Sequence, residues 1–181
     1  MWIEIDKLKR RPRQIVIDKQ ATDFPALRDL AEKGIATFSE NIIGTLEVTR
    51  TEQVIKVAGC LTTTVTSPCG RCLMPVTGHL KIPILLSYVD CENVDAAPLA
   101  EEVEIQSEEI ELIPFSGTEI DLQPDLAQEI IMALPQQPLC QEACQGLCPT
   151  CGNNLNQGGC DCEPPVFHAG LAALKNFKAD L

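Results

Sequence analysis

Six cysteines fall within 23 residues late in this chain: Cys140, Cys144, Cys148, Cys151, Cys160 and Cys162. They are spaced C-x3-C-x3-C-P-T-C-G-N-N-L-N-x3-C-x-C, and a further pair stands upstream in Cys69-Gly70-Arg71-Cys72. A two-residue spacing lets one tight turn aim both sulfurs at a single ion at about 2.3 Å. The glycine after Cys151 frees backbone N–H groups to turn toward the thiolates. A chain of this kind is held in part by metal, and its chemistry points to binding rather than turnover.

Ten cysteines divide as eight ligands and two spares. Cys148, Cys151, Cys160 and Cys162, spaced C-x2-C-x8-C-x-C, close a local four-thiolate site within about 15 residues, at small loop-closure cost. Cys140 and Cys144 then remain, with Cys69 and Cys72 as their expected partners. Spacing alone also admits a mixed assignment, such as Cys69 and Cys72 with Cys148 and Cys151. The expected cofactor is Zn²⁺, two ions in all. Disulfides require an oxidising compartment, and Met1-Trp2-Ile3-Glu4-Ile5-Asp6 lacks the charged-then-apolar layout of an export signal. Iron–sulfur clusters also use four thiolates, yet the run lacks the C-x2-C-x2-C-x3-C-P spacing. Cys60, on a strand face opposite Leu61 and Val65, and Cys91 read as packed or partly exposed thiols.

No apolar run approaches the roughly 20 residues that span a bilayer, so the expectation is a soluble, cytoplasmic protein without membrane contact. Length 181 with 45 % hydrophobic residues supports one sizeable core, and only 4 % aromatics make that core aliphatic. Charge is segregated. Between Lys81 and Lys175 there is no Lys or Arg, while sixteen Asp and Glu fall there, out of a net charge of −12. Each Zn²⁺ with four thiolates adds further negative charge. Such a surface repels phosphate and suits a basic protein partner. A solvated face that only maintains solubility is the alternative reading. The basic cluster Lys7, Lys9, Arg10, Arg11 and Arg13 is read as a solvated edge.

The fold class expected is α+β, an antiparallel β-sheet core with a few short helices and a cysteine-rich zinc-binding C-terminal module. Ile55, Val57, Leu61, Thr63 and Val65 share one face at period two within 54–66, and Leu80, Ile82, Ile84, Leu86 and Tyr88 do so within 76–89. The turn between them carries Cys69 and Cys72, which places that pair at a hairpin tip. Ile15–Ile17, Leu46 with Val48, and Val103 with Ile105 suggest further strands. Residues 22–32 suggest one or two helical turns. Residues 93–111 are acidic and read as loop. Residues 121–134 read as a helix with Leu126, Ile130, Ile131 and Leu134 as its apolar stripe. Pro135 and Pro138 end it, and 166–177 suggests a last short helix. The domains expected are 1–135, β-rich with the Cys69/Cys72 knuckle, and 136–181, the zinc module.

A catalytic zinc keeps an open position and normally uses His or carboxylate ligands. The only histidines, His79 and His168, lie outside the cysteine run. His79 reads as a sheet residue and His168 as surface. No nucleophile elbow or phosphate loop is present, so no enzyme is expected.

The string Cys69-Gly70-Arg71-Cys72-Leu73-Met74-Pro75 follows a Thr-rich strand. Ile120-Asp121-Leu122 then opens a helix ending Ala133-Leu134-Pro135, and Cys144-Gln145-Gly146-Leu147-Cys148-Pro149-Thr150-Cys151-Gly152-Asn153-Asn154-Leu155-Asn156 closes the series. In this order the elements resemble the YceD family of large-subunit ribosomal RNA accumulation proteins. The resemblance implies a non-enzymatic cytoplasmic or plastid protein needed for normal 23S rRNA levels and acting in large-subunit assembly. Its partner would be a basic ribosomal protein or a large-subunit precursor, with any rRNA contact indirect. Residues 153–156 are expected to turn the knuckle back rather than touch RNA. Two other functions compete. One is a zinc–thiolate redox sensor releasing metal from Cys140–Cys162. The other is a ribbon binding rRNA directly, served by the Lys7–Arg13 cluster and Arg71.

Overall fold

Period-two burial builds the main sheet. In a computed structural model, which describes residues 1–8, 11–51, 54–91 and 112–162, Ile55, Val57, Leu61, Thr63 and Val65 are all buried on one strand. Ile82, Ile84, Leu86 and Tyr88 are buried on the next. The strands are β1 (Trp2–Glu4), β2 (Arg13–Lys19), β3 (Thr37–Phe38), β4 (Ile42–Arg50), β5 (Val54–Pro68), β6 (Pro75–Asp90), β7 (Leu112–Phe115) and β8 (Glu119–Asp121). The helices are α1 (Pro25–Glu32) and α2 (Gln123–Met132). The fold is α+β. The expected strand at Val103 and Ile105, the acidic loop, the helix over 166–177 and His168 lie outside the described residues.

Among the described residues, six strands form one sheet in the order β2-β4-β5-β6-β7, with β3 also pairing β5, and β1 and β8 form a second, two-stranded sheet. The core was expected to be antiparallel. β2–β4, β4–β5, β3–β5 and β1–β8 are so, but β6 and β7 run parallel, with Ser87 opposite Leu112 and Asp90 opposite Phe115. A parallel pair needs a connection of a dozen or more residues, and β6 ends at Asp90 while β7 begins at Leu112.

The side chains of the buried strand face pack with Phe24, Leu27, Leu126, Ala127 and Ile130 around the two helices, and with Ile3 and Ile120 from the small sheet. Pro25 at the first turn of α1 and Pro124 at that of α2 set the helix starts without losing a needed donor. The expected helix over 121–134 is shorter by two residues at each end. Asp121 Oδ1 accepts the N–H of Gln123 at 3.1 Å and serves the helix start from outside it.

Tyr88 ties α2 to the sheet. Its hydroxyl donates to Asp125 Oδ2 at 2.6 Å, and burial, reinforced by the Asp125 carboxylate, holds the phenol above its ordinary range. Tyr88→Phe removes a hydrogen bond to a charged group, so urea denaturation should show a loss of about 1.5 kcal/mol. An unchanged midpoint would show that the bond does not support α2.

Two strand glycines permit a close approach. A Cβ at Gly44 would collide with the carbonyl oxygen of Cys60, and one at Gly59 with that of Thr45. These positions sit diagonally across the β4–β5 pair, Gly44 opposite Leu61 and Leu46 opposite Gly59.

The chain forms two compact units, Met1–Ser67 with Thr77–Gln136, and Pro68–Val76 with Gln137–Leu181. A division at residue 135 would leave the Cys69/Cys72 tip with the sheet. Packing instead groups residues 68–76 with the cysteine-rich segment, for the reasons given next.

Candidate metal centres

Backbone bonds first bring the hairpin tip to the tail. Gly70 N donates to Pro138 O at 2.8 Å and Leu147 N to Arg71 O at 3.2 Å. Arg71 Nη1 donates to the carbonyl oxygens of Cys144 at 2.8 Å and Glu142 at 3.3 Å. Cys69, Cys72 and Cys144 are buried together with Val76, Leu139 and Leu147 packed on them. The order Cys69, Cys72, Cys140, Cys144 thus assembles one group of four sulfurs, all within 4.8 Å of one another. Cys148, Cys151, Cys160 and Cys162 assemble a second to the same limit. The mixed assignment admitted by spacing does not occur.

The distances fit a single tetrahedral ion. Four sulfurs at about 2.3 Å from a centre stand about 3.8 Å apart. Cys69 Sγ and Cys144 Sγ are separated by 3.8 Å, and Cys72 Sγ and Cys140 Sγ by 3.5 Å. A disulfide would need about 2.0 Å, and all ten cysteines are free thiols. Cys60 and Cys91 belong to neither group. His79 lies on β6, where its Nδ1 meets Thr64 Oγ1 at 2.8 Å, so it is a sheet residue as expected.

Each knuckle prepares one thiolate. The N–H groups of Arg71, Cys72 and Cys140 lower the Cys69 thiol to about 6. Those of Cys151 and Thr150, with the Cys160 thiol, lower Cys148 to about 6. Burial would raise Cys144, but the Asn156 amide and Gly146 N–H outweigh it and the thiol is lowered. At the other extreme, the neighbouring Cys72 sulfur and burial push Cys140 up to about 12, and the Cys151 sulfur with burial does the same to Cys162. Four thiols this close cannot all ionise without a cation, so a metal held there would have to displace protons from the reluctant members of each set.

The residue that follows the second cysteine differs between the two turns. Gly152, after Cys151, has φ +75°, and its N–H donates to Cys148 O at 2.8 Å. Leu73 takes the matching place after Cys72 with φ +61°, its N–H on Cys69 O at 3.0 Å. A leucine there is strained by about 1 kcal/mol, and its side chain is 65 % exposed. Leu73→Gly should therefore stabilise the second unit by roughly 0.5–1 kcal/mol, read as a higher unfolding midpoint at fixed metal. A lower midpoint would mean that the exposed leucine makes a contact that outweighs its backbone strain.

Sequence reasoning did not find the roles of Arg71 and Asn156. Arg71 was named only as a residue that could serve the competing rRNA-binding reading, and its guanidinium instead clamps the tail carbonyls. Asn156 lies in the turn assigned to residues 153–156, where Asn153 O accepts Cys148 N at 2.8 Å and Leu155 N reaches Gly146 O at 2.9 Å. Those bonds do turn the knuckle back.

A family model described as Large ribosomal RNA subunit accumulation protein YceD matches residues 57–178, a span that contains both sulfur sets. The chain belongs to the YceD family. It is 26 % identical over 167 residues to an uncharacterized protein of Mycobacterium tuberculosis, covering 84 % of this chain and 69 % of that one. With an uncharacterized protein of Mycobacterium leprae the identity is 28 % over 153 residues, 84 % of this chain and 66 % of that one. The Arabidopsis thaliana protein named Large ribosomal RNA subunit accumulation protein YCED homolog 1, chloroplastic, is 25 % identical over 154 residues, 75 % of this chain and 48 % of that one. This YceD-family chain thus spans about half the length of its plant relative. No solved structure matches it significantly. Among the described residues, no helix is long and apolar enough to cross a membrane.

Proposed function

We propose that this protein is a non-catalytic, zinc-stabilised factor in large ribosomal subunit biogenesis that supports 23S rRNA accumulation. It acts by holding a basic ribosomal protein or a large-subunit precursor, in the compartment where that subunit is assembled. The family match over residues 57–178, with plant relatives named for large ribosomal RNA accumulation, carries the reading. The zinc assignment is supported by the sulfur spacing. In an iron–sulfur cluster the thiolates bind different irons and stand further apart, whereas sulfurs at 3.5 and 3.8 Å suit one ion. Zinc would supply a rigid, redox-silent cross-link there, with the four sulfurs of each set as its ligands.

The acidic balance of −12 favours a basic protein as the direct partner. Direct rRNA contact has less support, because Arg71 is committed to carbonyl groups. The redox-sensor reading draws on the exposure of one cysteine in each set, Cys140 and Cys151. Zinc that stays bound under physiological peroxide would dismiss it.

The test is co-sedimentation of the zinc-loaded chain with large-subunit precursor particles at low salt, weakening as ionic strength rises. No association with particles or with isolated basic large-subunit proteins would refute the reading.

A further inference from the structure

Asn156 lies between Cys151 and Cys160, inside the backbone of the second sulfur set, yet its amide reaches a ligand of the first. Gln145 N donates to Asn156 Oδ1 at 2.8 Å, and Gln141 Nε2 donates to the same oxygen at 3.2 Å. A main-chain N–H can only donate, so this contact fixes the orientation of the carboxamide. Nδ2 then donates to Cys144 Sγ at 3.3 Å and to Asn154 Oδ1 at 2.8 Å. Asn154 Oδ1 also accepts Asn156 N at 3.0 Å, which locks the turn.

We propose that the two metal centres bind their ions cooperatively and that Asn156 is the positioning residue that couples them. An ion on Cys148, Cys151, Cys160 and Cys162 closes the segment from 148 to 162 and so orders the Asn156 turn. The amide then meets Cys144 already oriented, and its N–H···S bond favours the ligating thiolate. The entropy of ordering residues 152–157 is spent at one centre and is not spent again at the other. Linkage makes the effect reciprocal, so an ion on Cys69, Cys72, Cys140 and Cys144 holds Asn156 and tightens the second centre equally. This rests on the zinc reading above.

The test is a Co²⁺ titration of the reduced, metal-free full chain, followed by thiolate-to-cobalt absorption. Cys160→Ser/Cys162→Ser and Cys69→Ser/Cys72→Ser serve as single-centre references. In the parent protein the overall affinity for two ions should exceed the product of the two single-centre values by about tenfold. Asn156→Ala should reduce it to that product. Asn156→Asp keeps the shape and the acceptors for Gln145 and Gln141 but has no N–H for sulfur. It should weaken the first centre and move its charge-transfer band to longer wavelength, because a sulfur without a hydrogen bond gives up electron density more easily. A merely structural asparagine would leave that band in place in the Asp variant. Two centres that fill independently in the parent protein, or an unshifted band with unchanged affinity in both Asn156 variants, would overturn the coupling alone. No cobalt bound at either centre would overturn the zinc reading and the coupling with it.

Discussion

Cys72→Ser is expected to cut the bound zinc from two ions to one and to release the hairpin tip from the tail. Cys72 is buried with Cys69 and Cys144, and its sulfur stands 3.5 Å from that of Cys140. A serine hydroxyl does not ionise at neutral pH and is a poor ligand for a thiophilic ion. Apparent binding energies at structural zinc sites are roughly 10–16 kcal/mol, so losing one of four thiolates should weaken the first centre about a thousandfold, ~4 kcal/mol. Cys60→Ser and Cys91→Ser, outside both sulfur sets, should leave the metal content unchanged. Metal analysis of the three variants after gel filtration reads the result. Cys72→Ser retaining two ions at parental affinity would remove this residue from the ligand set.

Gly59→Ala should destabilise the sheet unit by about 3 kcal/mol or more. The added Cβ would collide with the Thr45 carbonyl oxygen and come within 2.9 Å of Leu46 Cδ2. A backbone oxygen cannot rotate away, so the β4–β5 ladder must shift, and forced overpacking of a core costs this order of energy. Gly78→Ala is the control. It lies on β6, in the same sheet, and a Cβ there meets nothing within 4 Å, so its effect should stay within about 0.5 kcal/mol. Urea denaturation with matched slopes compares the two variants. Equal midpoints would mean that the β4–β5 approach relaxes freely.

The long features of this fold were legible in sequence because they repeat. β5 and β6 each carry enough alternating residues for the buried face to be read directly, and α2 shows its stripe of Leu126 and Ile130. The second sulfur set was legible for a different reason, since Cys148 to Cys162 is local and nearly closes on itself. The first set required the fold. Cys69 and Cys144 are separated by 75 positions and Cys72 and Cys140 by 68, so only the packing of the hairpin tip could choose between the pairings. Short elements left no period to detect. β1 and β8 span three residues each, and their pairing of Ile3 with Ile120 follows from register alone. The parallel β6–β7 pair was hidden because the local pattern of a strand does not record its partner's direction. Leu73 was also missed. Its knuckle demands a left-handed residue, and the chain places a leucine where its sister knuckle has glycine.

The Tyr88–Asp125 bond and the two strand glycines belong to the sheet unit, whereas every sulfur of the two groups of four belongs to the other. Substitutions in one should therefore leave the main readout of the other intact, which separates loss of metal from loss of sheet stability. A ribosomal phenotype that follows Cys72→Ser but not Tyr88→Phe would place partner recognition on the metal-dependent part of the chain.

Native mass spectrometry of the reduced, purified chain addresses the central claim most directly. Two zinc ions per chain are predicted, lost on chelation together with the compact charge-state distribution of the protein. A reduced chain that flies metal-free in the same compact state, and takes up no zinc when it is offered, would contradict the proposal that the eight sulfurs hold the tail to the hairpin tip through metal.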